Sequence, residues 1–135
     1  MKKHIMVVFN GRKIKGKYGV SISELLEKHP HPGRFSAIGA IVSSRPTGLY
    51  YRIYSDVEVE TIDLSSRIGM DIYRRSASLL LYASAHDIFP GARVAVGQSL
   101  SDGYYFYVQG RKADADSIKK LEARMWKYVH DDIPI

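Results

Sequence analysis

Gly69-Met-Asp-Ile-Tyr-Arg-Arg-Ser-Ala-Ser-Leu-Leu-Leu-Tyr-Ala-Ser-Ala-His-Asp-Ile-Phe-Pro-Gly91 holds no glycine or proline between Met70 and Phe89. This stretch predicts a long helix. Tyr73, Ala77, Leu80, Leu81, Ser84 and Ile88 recur at helical spacing and form one stripe, whose small members Ala77 and Ser84 allow close approach to a sheet. Arg74, Arg75, Ser78, Tyr82 and His86 fall on the other side. Pro90-Gly91 ends the helix: the proline ring cannot continue the hydrogen-bond ladder, and glycine readily adopts helix-terminating conformations.

Downstream, residues 92–108 read as strand, Ser101-Asp-Gly turn and strand, followed by a second helix over 116–129. Ile118, Leu121 and Met125 would be the buried stripe of that helix, with Trp126 and Tyr128 flanking it. Upstream, His4–Phe9 is rich in strand formers and Asn10-Gly11 is a strong two-residue hairpin turn, with Arg12–Lys17 as the half-exposed return strand. Ser21 or Ser23 can cap a helix through Leu25 and Leu26, which ends at His29-Pro-His-Pro-Gly33. Residues 37–42, 49–53 and 57–62 supply further short strands, with Arg45-Pro-Thr-Gly48 and Ser55-Asp56 as turns. The pattern predicts an α+β chain of two small domains.

The chain of 135 residues has no cysteine, which excludes disulfides and thiolate metal sites and suits a reducing cytoplasm. The apolar run Ile5–Phe9 is too short for a signal peptide, and no stretch has the length of a membrane span. A formal charge of +6 favours an anionic partner. The first 17 residues hold Lys2, Lys3, Arg12, Lys13, Lys15 and Lys17 without an acid. Arg12, Lys13, Lys15 and Lys17 are therefore candidate anion-binding residues for RNA or nucleotide, or else a solvated face.

The order helix, Phe89-Pro-Gly-Ala, Val96-Gly-x-x-Leu-x-Asp-Gly-Tyr-Tyr, then helix with Leu121-Glu-x-x-Met125, resembles the second N-terminal domain of threonyl-tRNA synthetases. Residues 4–64, with NGRKIKGKYGVSISELLEK and VEVETIDL, resemble the TGS domain, a ubiquitin-like β-grasp module. The resemblance implies a TGS domain over 1–64, a linker over 65–69, and a synthetase-like α+β domain over 70–135 that is incomplete at its C-terminus. The same pair resembles the N-terminal portion of uridine kinase-like proteins. That likeness makes the chain a regulatory or ligand-recruiting region whose partner is a downstream kinase domain. ATP and Mg²⁺ would then belong to that domain, and this chain itself would need no cofactor. The alternatives are a tRNA-binding or editing-type module of a synthetase-like protein, and a free-standing interaction adaptor.

In editing threonyl-tRNA synthetases the corresponding helix carries two histidines four residues apart; here those positions hold Arg75 and Leu79, which offer neither base nor ligand. Gly97-Gln98 replaces the family's Gly-Pro, and Tyr107 stands where aspartate is usual. No catalytic residue is therefore expected. Arg74, Arg75, Tyr82, Tyr104 and Tyr105 are candidate ligand-binding residues, because guanidinium suits phosphate and tyrosine stacks on bases; the alternative is that Tyr104–Tyr107 serve as strand packing. Gly11–Tyr18 matches the P-loop pattern in its glycines and lysine. However, Tyr18 replaces the Mg²⁺-binding hydroxyl and Gly19 delays a helix, so the hairpin reading is preferred. His29-Pro-His31 lacks a third ligand and reads as a flexible loop, His86 suits the C-terminal end of the long helix, and Asp131-Asp132 reads as solvated. Ile133 and Ile135 alternate around Pro134 as the start of a further strand, which predicts a longer polypeptide and weak self-association through an open edge.

Overall fold

The computed structural model describes residues 3–101 and 103–135. Lys2 of the basic run and Asp102 of the expected Ser101-Asp-Gly turn lie outside the described residues. The chain divides into two compact units, Met1–Tyr73 and Arg74–Ile135.

In the first unit, β1 (His4–Phe9) and β2 (Arg12–Lys17) form the expected antiparallel hairpin. Asn10 and Gly11 take φ of 48° and 79°, the mirror-image turn whose twist matches that of the flanking strands. After the short β3 (Val20–Ser21), α1 (Ile22–Lys28) is closed by a capping box. Ser21 accepts from the Glu24 amide, and the Glu24 carboxylate accepts from the Ser21 amide at 2.9 Å. That amide holds the Glu24 carboxyl below its ordinary range.

The remaining strands are β4 (Gly39–Val42), β5 (Arg45–Thr47), β6 (Arg52–Ile53) and β7 (Val57–Ile62). They build a mixed sheet of order β2-β1-β7-β4-β5, in which β1 and β7 run parallel. Ile5, Val7, Phe9, Ile22, Leu25, Ala40, Val42, Ile53 and Val59 form one core.

Three local expectations change. The strand expected over 49–53 is reduced to Arg52–Ile53, because a turn closed by the Tyr51 amide on the Gly48 carbonyl takes its first half. The turn expected at Arg45–Gly48 lies earlier, at Ser43-Ser44, both with positive φ, and Arg45–Thr47 is strand. Pro46 is tolerated there because β5 is an edge strand, where a missing N–H costs no ladder bond. The expected linker is largely fixed structure, since α2 (Arg67–Ile88) begins within it. Ser66 Oγ accepts from the Gly69 amide at 2.9 Å and donates to the Asp63 carbonyl, capping the helix start. A Cβ at Gly69 would overlap that carbonyl, so this start requires glycine.

In the second unit, the rest of α2 is followed by the ribbon of β8 (Arg93–Leu100) and β9 (Gly103–Gln109) and by α3 (Ala115–His130). Asp114 caps α3 by accepting from the Ser117 amide at 2.7 Å, which lowers its carboxyl pKa. Leu81, Ala85, Phe89, Val108 and Leu121 are the buried core, with Ile88, Val94, Val96, Phe106 and Met125 packed on it. The buried line of α2 is thus centred on Leu81 and Ala85. Tyr73 and Ala77 are exposed and Leu80 is half-buried, against the expected stripe. Ile118 of α3, also expected inside, is 40% exposed at the rim of the core. The buried line of α2 is displaced toward Ala85 and Phe89 because tyrosine counts as apolar in the periodicity, whereas Tyr73 is 54% exposed.

Candidate functional site

A groove of about 320 Å³ in the second unit is lined by Ala77, Leu81, Tyr104, Phe106, Leu121 and Met125, among others. At Tyr104, the Arg74 guanidinium sits 6.0 Å from the ring centroid, within reach of a cation–π contact. These are the only two members of the proposed ligand-binding set that the structure joins by a contact, among the described residues.

Strand alternation separates the others. Tyr104 shares a face with Phe106 and Val108, which belong to the core side. Tyr105 points from the opposite face, where its ring lies 6.3 Å from that of Tyr107. Arg75 and Tyr82 are exposed on α2, seven residues apart and so on one flank. Leu79, four residues beyond Arg75, is 53% exposed and lines a different, apolar groove with Val129 and Ile133.

The basic set in the first unit is divided by the same rule. The hairpin register sets Lys13, Lys15 and Lys17 opposite Val8, Met6 and His4, so these lysines form an exposed row on one face of the sheet. Glu58 is paired with Val8 on that face, so the row is not part of a uniformly basic surface. Arg12, opposite Phe9, instead lines a cleft of about 270 Å³ with Asn10, Lys28 and His29.

The best-defined polar constellation was missed by the sequence reading. His31 is clamped between Thr61 and Asp63: Nδ1 lies 2.6 Å from Thr61 Oγ1, and Nε2 lies 3.1 Å from Asp63 Oδ2. Ionised Asp63 can only accept, so Nε2 carries the proton facing it. The Asn10 carboxamide holds Thr61 from its other side, donating to the hydroxyl at 2.8 Å and accepting from the Thr61 amide at 2.8 Å. Asp63 is 3% exposed. The Ser65 hydroxyl, then the Ser65 amide, His31 and the Phe35 amide hold its carboxyl well below the usual range. The loop after α1, expected to be flexible, is therefore pinned to β7. The available signal was that residues 57, 59, 61 and 63 alternate inward as Val, Val, Thr and Asp, polar where the pattern calls for apolar. Among the described residues no group of three His, Cys, Asp or Glu is placed to hold a metal.

In the second unit, Asp87 of α2 accepts from Tyr128 Oη at 2.6 Å and from Arg124 Nε at 2.7 Å. The two donors lower the Asp87 pKa and tie α3 to α2. Ser84 is fully buried, and its hydroxyl has no hydrogen-bond partner among the described residues.

No protein-family profile matches the chain. It is 24% identical to the threonine–tRNA ligase of Clostridium kluyveri over 127 residues, which cover 93% of this chain and 20% of the relative. It is 30% identical to that of a Wolbachia strain from Drosophila simulans over 94 residues, 69% of this chain and 15% of the relative. It is 31% identical to that of Streptomyces coelicolor over 94 residues, 69% and 14% respectively. The chain spans about a fifth or less of the length of these relatives. The similarity is to the N-terminal regions of threonyl-tRNA synthetases and lends no support to a kinase parent. No helix among the described residues is long and apolar enough to cross a membrane.

Proposed function

We propose that this chain is a cytoplasmic tRNA-binding module of the threonyl-tRNA synthetase type, a β-grasp unit followed by an editing-type unit that binds without hydrolysing. The observation that carries the reading is the similarity to threonine–tRNA ligase over 127 residues, which takes in most of both units. The sheet order β2-β1-β7-β4-β5 with its parallel β1–β7 pair supports the β-grasp assignment. Arg74 beside Tyr104 at the groove, and the lysine row of β2, supply cationic and aromatic groups suited to RNA. This replaces the kinase-region reading, which the relatives do not favour.

The test is a gel shift of the purified chain with threonine-accepting tRNA at two salt concentrations, alongside incubation with seryl-tRNA. Binding that weakens steeply with salt, weakens further in Lys13→Glu/Lys15→Glu, and leaves seryl-tRNA intact is expected. Absence of binding at low salt refutes the module. Deacylation that is lost on mutating Arg75 refutes the non-hydrolytic part.

A further inference from the structure

We infer that the outward face of the β8–β9 ribbon is a stacking platform for unpaired RNA bases, carried by Tyr105 and Tyr107; this rests on the RNA-binding reading above. Val94 pairs with Val108 and Val96 with Phe106, and these side chains pack on the core of the second unit. Alternation sends Tyr105 and Tyr107 to the opposite face. There the two rings are 55% and 45% exposed, side by side at 6.3 Å and tilted by 35°.

The strand across from them is shaped to leave the rings open. The ladder is irregular between Val96 and Ser99, which sets Gly97-Gln98 opposite Tyr105. Because Gly97 has no side chain, none is placed at the 3.5 Å from the Tyr105 ring where a Cβ would sit. Ala95, opposite Tyr107, is the next smallest choice. Arg93, opposite Gln109, continues the same face and can meet a phosphate. Positions 93, 95, 97, 105, 107 and 109 include no acid, in a chain of formal charge +6.

Exposed aromatics on a sheet face stack successive unpaired bases in sheet-type RNA modules, and such stacking tolerates any sequence because every base has a π-face. Neighbouring rings with a guanidinium at the edge and no acid match that ligand. An acidic peptide would use Arg93 but leave both rings without partners.

Fluorescence anisotropy of a fluorescein-labelled oligoadenylate with the full chain tests this. Tyr105→Thr/Tyr107→Thr keeps strand-compatible side chains, and Tyr105→Phe/Tyr107→Phe keeps the π-faces. The threonine variant, which removes two stacking rings, is expected to lose about thirtyfold or more in affinity with an unchanged salt slope, and the phenylalanine variant to stay within about threefold. Unfolding followed through Trp126 establishes that each variant is folded. If the threonine pair proves unstable, the single variants Tyr105→Thr and Tyr107→Thr carry the same expectation at reduced size. Unchanged affinity in the threonine variant, with weakened binding in Lys13→Glu/Lys15→Glu, overturns the platform and leaves the RNA reading standing. No binding by the wild type at low salt removes both. A wild-type dimer that the tyrosine variants dissociate without altering oligoadenylate binding shows a self-interface and also overturns the platform.

Discussion

Leu81→Ala tests the assignment of the buried face of α2, because its neighbours Leu80 and Leu79 supply internal controls on the same helix. Leu81 is 9% exposed and packs with Ala85, Phe89, Val108 and Leu121, so nearly all of its side chain is lost from the core on truncation. The adjoining α2 residues Ser84 and Ala85 are already small and cannot swing in to fill the space. The loss should therefore fall in the range of about 2–5 kcal/mol observed for buried leucines, transfer and cavity contributions together. At about 4–8 °C per kcal/mol for a domain of this size, that lowers the melting temperature by roughly 10 °C or more. Leu79, 53% exposed, should cost within about 0.5 kcal/mol, and half-buried Leu80 should fall between the two. Trp126, the single tryptophan, lies on α3 in the same unit, so urea unfolding followed by its emission reports this unit directly. Equal losses for Leu80→Ala and Leu81→Ala would refute the assigned face, and so would a Leu81→Ala loss under about 1 kcal/mol.

Ser84→Ala should stabilise the second unit by about 1 kcal/mol, because it removes a buried hydroxyl without a partner and keeps the Cβ; a lower urea midpoint in the variant contradicts this. The first unit should lose stability on acidification. The Asp63 carboxyl lies below its unfolded value, so its contribution is fully present above the ordinary aspartate pKa of about 3.9 and is lost as pH falls below it. Asp63→Asn should be less stable at neutral pH and show a flatter decline in acid, measured as urea midpoints by circular dichroism across that range. An unchanged acid decline in the variant argues against the clamp.

Local chemistry was legible where a short stretch specifies its own geometry. Asn10-Gly11 dictates a two-residue hairpin turn, which appears as read, and of the two candidate helix caps, Ser21 and Ser23, the structure uses Ser21, with Glu24 completing a capping box that the sequence reading did not include. The α+β content followed from the change in hydrophobic period between strand and helix. The Ser43-Ser44 turn was not legible, because serine has no marked preference for positive φ and the neighbouring Pro-Thr-Gly gave the louder turn signal. The His31 clamp depends on groups 30 and 32 residues away on β7, which only the sheet register brings near. The periodicity of α2 places Leu81, Ser84 and Ile88 on the core side as found, but it adds Tyr73 because tyrosine counts as apolar, whereas Tyr73 is 54% exposed.

For the candidate surfaces, composition named the residue types and alternation decided the partners. A two-residue turn at Asn10-Gly11 fixes Arg12 opposite Phe9, so Arg12 shares the parity of Ile14 and Gly16 while Lys13, Lys15 and Lys17 take the other face. That division could have been drawn from the turn alone, and it splits one basic run into an exposed row and a single cleft residue. The ribbon obeys the same logic with one complication. Counting back from the buried Val108 assigns Phe106 and Tyr104 inward and Tyr105 and Tyr107 outward, whereas the irregularity between Val96 and Ser99 shifts the facing strand by a residue. A search for adjacent aromatics selects Tyr104 with Tyr105, two rings that cannot serve one ligand from opposite faces. A search at a spacing of two selects Tyr105 with Tyr107, which share a face and stand side by side. On a strand, the residues that act together are next-nearest neighbours, so the register of each hairpin determines which of its cationic and aromatic groups can meet the same ligand.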